Sequence, residues 1–107
     1  MIRWSPTAPA RAGCPHNRLS RLLATRLPAG FTISTSMLRP WSSANFVGAR
    51  HLFSCTGAGL NTARLSALQS CLSAIEWRLP GHIVADLTVE RACDDGEFRI
   101  EILTVED

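Results

Sequence analysis

A glycine-containing turn is the first place in this chain where residue types and spacing point to chemistry. Gly57 and Gly59 lie between an apolar stretch and a predicted helix that starts at Asn61 or Thr62. Free backbone N–H groups and the helix dipole favour anions at such a point. The sequence therefore predicts a small-anion site at Gly57, Gly59, Asn61 and Thr62. A plain strand-to-helix turn is the simpler interpretation, because the third glycine of a dinucleotide fingerprint and the lysine of a P-loop are absent.

The cysteines and histidines predict neither a metal site nor a cysteine nucleophile. Zinc ligands typically come in closely spaced cysteine pairs, and the widely spaced Cys14, Cys55, Cys71 and Cys93 contain no Cys-x-x-Cys pair that His16, His51 or His82 could complete. Cys55 follows His51 by four residues, which separates their backbones by about 13 Å on an extended strand. We therefore expect small hydrophobic roles for the cysteines, and no metal and no cofactor.

The carboxylates predict a solvated acidic surface rather than acid–base catalysis. They occur as Asp94–Asp95 in a predicted turn, as Glu90 and Glu101 on a sheet face, and as Glu106–Asp107 at the end of the chain. Acid–base work needs two carboxyl groups in unlike surroundings within one cleft. The sequence accordingly favours a protein that is not an enzyme.

Charge is distributed unevenly along the chain. Residues 1–75 contain eight arginines and no acidic residue, whereas residues 76–107 contain nine acidic residues and three arginines. Phosphate binding needs only positive charge, but a stacking platform or reading helix is not recognisable. The arginine-rich leader could bind nucleic acid, but this is not favoured. The two segments of opposite charge are expected to attract each other or different partners.

Residues 1–48 predict a largely disordered leader, because they hold five of the six prolines and no acidic residue. Within it, Leu19, Leu22, Leu23 and Leu27 share one face of a short helix that Pro28 would stop. An arginine-rich, acid-free leader is also typical of a mitochondrial transit peptide. The expected location is cytoplasmic, or the mitochondrial matrix if the leader is such a peptide. A third interpretation places the true start of translation near Met37.

Residues 49–107 predict a small α+β domain, a two-layer β-α-β-β unit. A strand over 49–56 precedes a helix over 62–79, whose apolar face carries Leu65, Leu68, Leu72, Ile75 and Leu79. Alternating apolar residues predict strands around 83–90 and 97–104, joined at Asp95–Gly96. This gives one helix on a three-stranded, mainly antiparallel sheet, an order that resembles half of a ferredoxin-like domain. A two-residue turn would place Glu90 opposite Glu101, an unfavourable like-charge pair.

Such a small core predicts self-association. The predicted helix would leave Trp77 exposed, and the outer sheet face carries Arg99 and Glu101, so these three residues are the expected interface of a homo-oligomer. A run of about 18 apolar residues does not occur, so we expect a soluble chain without a membrane span. The sequence favours a self-associating or protein-interaction module. The alternative is a regulatory domain that binds a small anion at Gly57–Asn61.

Overall fold

The computed structural model describes residues 15–92 and 96–107. Within these residues the chain forms α1 (His16–Arg26), β1 (Phe31–Ser42), β2 (Val47–Gly57), α2 (Thr62–Ser73), β3 (His82–Arg91) and β4 (Glu97–Glu106). The four strands form one sheet in the order β1-β2-β4-β3, and every neighbouring pair is antiparallel. None of the helices in this part of the chain is long and apolar enough to cross a membrane.

The α+β class is confirmed, but the three-stranded sheet is wrong, and the disordered leader is wrong for residues 15–48. These residues form the predicted leucine helix, α1, and an additional strand, β1, which pairs with β2 along its whole length. Pro40 is tolerated because β1 is an edge strand, where a missing backbone N–H leaves no ladder bond unmade. Residues 1–14 of the predicted leader lie outside the described residues.

Both helices pack on the same face of the sheet and share one hydrophobic core. Leu19 and Leu23 of α1 are fully buried in this core. The other buried apolar side chains come from α2, the sheet and the segment before β3: Phe31, Phe53, Cys55, Leu65, Leu68, Leu72, Leu79, Leu87, Phe98, Ile100 and Ile102. Side chains that alternate with these along the strands point to the opposite face, which neither α1 nor α2 covers.

Helix α2 is shorter than the spacing of its leucines predicted, because it ends at Ser73. The start is confirmed: the Asn61 side chain caps it by accepting from the Arg64 backbone N–H at 2.8 Å. After Ser73 the indole N–H of Trp77 donates to the Leu72 carbonyl at 3.3 Å, and Leu79 turns back into the core. These tertiary contacts outweigh the helical pattern beyond Ser73.

The β3–β4 hairpin is confirmed, but its predicted register is wrong by two residues. Ala92 donates its N–H to the Glu97 carbonyl at 3.0 Å, so the loop between them has four residues rather than two. A shift of two keeps the side chains from Leu87 onward on their predicted faces, whereas Ile83, which lies before a bulge at Val84/Asp86, moves to the opposite face. Glu90 now pairs with Arg99 instead of Glu101, which replaces a repulsive contact by an ion pair of 3.0 Å. Asp95, the first residue of the predicted turn, lies outside the described residues.

The two halves α1-β1-β2 and α2-β3-β4 repeat the same design. Each helix leads through a turn with glycine at positive φ, Gly30 at 87° and Gly81 at 75°. Each outer strand then has a bulge three to five residues later, at Ile33/Thr35 and Val84/Asp86. In the centre of the sheet the β2–β4 register is symmetric about one pair, Leu52 and Glu101. The halves are therefore related by an approximate two-fold axis through that pair.

Candidate functional site

The predicted anion-binding turn is closed by contacts within the chain. Gly57 donates its N–H to the Gly96 carbonyl at 2.8 Å, and Ala58 donates to the Gly30 carbonyl at 3.4 Å. Gly57 is needed for packing, because a Cβ atom there would lie 2.8 Å from the Phe31 ring.

The Arg64 guanidinium folds over the same turn and donates to the Ala58 carbonyl at 2.6 Å. A cation therefore stands beside Gly59, and Asn61 is occupied as the helix cap. Anion binding at Gly57, Gly59, Asn61 and Thr62 stays a prediction, with Arg64 as the charged group that sequence reasoning missed.

The three predicted interface residues do not share one surface. Trp77 is half-buried against the core, on the helix side of the sheet. Arg99 and Glu101 point to the other side, which we call the open face. Arg50 forms an ion pair of 3.0 Å with Glu101 on that face.

The open face combines apolar and charged side chains in rows that run across the four strands. One end row consists of Trp41, Gly48, Val105 and Ile83, in the order β1-β2-β4-β3. Ile83 is 53% exposed there, and the Trp41 indole lies over Gly48. A substantial apolar strip therefore reaches the surface at one end of the open face.

Charge on the open face is polarised between its two halves. The β1–β2 half carries Arg39 and Arg50, whereas the β3–β4 half carries Asp86, Glu90 and Glu101 together with Arg99. The uneven charge along the sequence thus becomes a basic half and a predominantly acidic half of one surface.

A connected chain of polar groups runs from the surface into the core on the helix side of the sheet. His16 Nε2 lies 3.1 Å from the Ser36 hydroxyl oxygen, and His16 Nδ1 lies 2.9 Å from His51 Nδ1. His51 Nε2 in turn lies 2.9 Å from the Thr104 hydroxyl oxygen. Four elements meet here, because His16 opens α1, Ser36 lies on β1, His51 lies on β2 and Thr104 lies on β4. We call these four residues the histidine relay.

The surroundings keep both histidines of the relay uncharged at neutral pH. His51 is fully buried, and its pKa is lowered to about 4, mainly by burial and to a lesser extent by repulsion from His16 and His82 when they carry a proton. Burial also lowers the pKa of His16. Two protonated imidazoles cannot coexist at a nitrogen–nitrogen distance of 2.9 Å, so the pair titrates as a unit.

Cys55 is not part of the relay, although it lies near His51 in sequence. Its thiol is buried and donates to the Phe53 carbonyl at 3.6 Å, and burial raises its pKa to about 12. A thiol of this kind is not a nucleophile at neutral pH. Cys71 is an exposed free thiol, and Cys14 and Cys93 lie outside the described residues.

Comparison with known proteins adds no relationship, because no family model, no curated protein and no solved structure matches this chain. Sequence reasoning missed the relay since 35 residues separate its two histidines. The sequence did contain one signal of the repeated fold that brings these residues together. Arg-Leu-Ser occurs at 18–20 and again at 64–66, each time followed by a proline and a glycine, which indicates two equivalent helix–strand units.

Proposed function

We propose that this chain is a protein-interaction module whose open face binds a second copy of the chain. The observation that supports this most strongly is that the sheet face that α1 and α2 leave open is divided into a basic half and a predominantly acidic half. Such a surface is complementary to itself when a two-fold axis places unlike halves opposite each other.

The charge pattern selects one orientation of the axis. A two-fold axis parallel to the strands places β1 over β3 of the second copy and β2 over its β4. Arg39 then faces Asp86, since both lie in the row next to the apolar strip. In the same arrangement Trp41 faces Ile83 of the second copy, so the strip closes on itself.

An axis perpendicular to the strands gives a much poorer match. This axis places each strand over the same strand of the second copy and reverses the order of the rows along it. Asp86 of one copy would then face Glu90 of the other. Like charges brought together in this way disfavour association. The proposal therefore specifies both the surface and the orientation.

The outer edge of β3 is a weaker surface for self-association, because it is blocked at its centre. The Gln69 side chain donates to the Leu87 carbonyl at 2.7 Å and accepts from the Val89 N–H at 2.6 Å. A further strand that paired with β3 would need this carbonyl and this N–H for its own backbone hydrogen bonds.

Sedimentation velocity tests the proposal by giving the mass of the 11.7 kDa chain in solution. We expect a concentration-dependent dimer that Arg39→Glu weakens by at least about tenfold in Kd, because the introduced carboxylate would face Asp86. Arg21→Glu is the matched control, since Arg21 is exposed on α1, on the opposite side of the molecule. A monomer at high concentration, or equal effects of the two variants, would contradict the proposal.

A further inference from the structure

The histidine relay has a direction, which follows from the partners of its buried end. The Thr104 hydroxyl donates to the Ala49 carbonyl at 3.4 Å, and a carbonyl can only accept. Thr104 therefore accepts from His51, whose proton is on Nε2. The Nδ1 atom of His51 is then an acceptor for the Nδ1–H of His16. This assignment leaves the Nε2 lone pair of His16 facing the Ser36 hydroxyl.

These roles are those of a nucleophile, a base and the group that orients the base. Ser36 is exposed on an edge strand, so a reactant can approach its oxygen. The rings of His16 and His51 are nearly coplanar, at 15°, which suits a hydrogen bond in the plane of both rings. The Phe53 ring is almost parallel to His16, with centroids 5.6 Å apart, and further limits its orientation.

The fold itself does not require polar residues at these positions. In the second half, the position equivalent to Ser36 is Leu87, and the position equivalent to His51 is Ile100; both are buried apolar residues. Cys55 occupies the position equivalent to Thr104. The arrangement of polar groups is therefore specific to one side of the core, although both halves have the same backbone design.

We infer that Ser36 and His16 form a nucleophilic serine site, oriented by His51, that accepts acyl groups from small activated esters. The Ser36 oxygen attacks the ester carbonyl carbon while its proton passes to His16 Nε2. The carbon–oxygen bond to the alcohol then breaks, and the departing alcohol takes that proton. Water next attacks the acyl-serine, with His16 as base, and releases the carboxylic acid and free Ser36. Ser36 and His16 are the catalytic residues, and His51 is a positioning residue.

Small esters are the expected substrates because of where the serine lies. An exposed strand position gives no deep cavity to hold a large substrate, so reactivity must come from a good leaving group. A neutral imidazole also stabilises the protonated His16 less than a carboxylate would, which suits activated substrates.

Labelling of the full chain with a fluorophosphonate probe, followed by peptide mass spectrometry, tests this inference. We expect the label on Ser36 and its loss in Ser36→Ala. Ser34→Ala is the matched control, because Ser34 is exposed on the same strand and its hydroxyl donates to a backbone carbonyl. His16→Gln should slow labelling and the hydrolysis of 4-nitrophenyl acetate by at least about tenfold. An unlabelled wild-type protein, or a label on another residue, would overturn the inference.

The role of His51 is tested by a pair of variants. His51→Gln offers an amide oxygen that can accept from His16, whereas His51→Leu offers no acceptor. We expect the Gln variant to retain most of the labelling rate and the Leu variant to lose it. Both variants are compared at matched folded fractions, measured by circular dichroism. Equal rates for the two folded variants would show that His51 does not orient the base.

Discussion

The Nδ1 atoms of His16 and His51 lie 2.9 Å apart, so the first residue of α1 is hydrogen-bonded to the centre of the sheet. The two rings can keep this hydrogen bond only if both are uncharged or share a single extra proton. The contact therefore ties the stability of the fold to pH.

We expect stability to fall as the pH drops from about 6.5 to about 4. The pKa of His51 is lowered from its ordinary 6.5 to about 4, so the unfolded chain binds protons that the folded chain does not. The stabilisation is complete above 6.5 and is lost progressively below it, by up to about 3 kcal/mol. His16 contributes in the same direction, because its pKa is also lowered.

Urea unfolding at pH 7 and pH 5 measures this effect. In His51→Gln the difference between the two pH values should shrink, because glutamine does not titrate. Wild-type stability that is equal at both pH values would show that the histidines are not buried as a neutral pair.

Leu23→Ala should destabilise the protein by about 2 to 5 kcal/mol, because Leu23 is fully buried on α1. The comparison is Leu72→Ala on α2, which is equally buried and should cost a similar amount. Cys71→Ala, at an exposed position on α2, should have little effect. A dispensable N-terminal segment would instead make Leu23→Ala harmless in urea unfolding.

Gly48→Ala should cost about 1 to 3 kcal/mol through overpacking. A Cβ atom at Gly48 would collide with the carbonyl oxygen of Thr104 and press on the Trp41 ring. Gly81→Ala provides the contrast, since a Cβ atom there meets nothing within 4 Å and the cost comes from the positive φ alone. Thermal unfolding of both variants separates the two causes, and a silent Gly48→Ala would contradict the described β2–β4 contact.

The sequence predicted elements whose apolar period was clear. The start of α2, its buried Leu65, Leu68 and Leu72, and the faces of β4 were predictable from spacing. In β3 the spacing placed Ile83 on the same face as Leu87 and Val89, which is wrong, because the bulge at Val84/Asp86 turns Ile83 to the open face. Register was not predictable, because a shift of two residues leaves every face unchanged.

The strand β1 was missed because its residues carry little alternation. Most residues of β1 are exposed to solvent, as expected for an edge strand that contains Pro40. The relay could not be predicted either, since His16 and His51 meet only when β1, β2 and α1 have assembled. Local pattern thus predicted α1, β2 and the elements of the second half, but it missed β1 and the contacts that depend on it.

The most direct test of the proposed open-face dimer is a mixing experiment with two charge reversals. Arg39→Glu and Asp86→Arg should each be mainly monomeric, because each creates a like-charge pair across the two-fold axis. An equimolar mixture should form a dimer that contains one copy of each variant. In that dimer the introduced carboxylate faces the introduced guanidinium, and the natural pair of Asp86 and Arg39 is kept at the other end.

Asp86→Asn, which keeps an oxygen to accept the Leu87 N–H, controls for the local bond of Asp86. Sedimentation velocity of the two charge-reversal variants should show about twice the mass of the chain only in their mixture. Two variants that dimerise as well alone as together, or a mixture that stays monomeric, would contradict self-association through the open face.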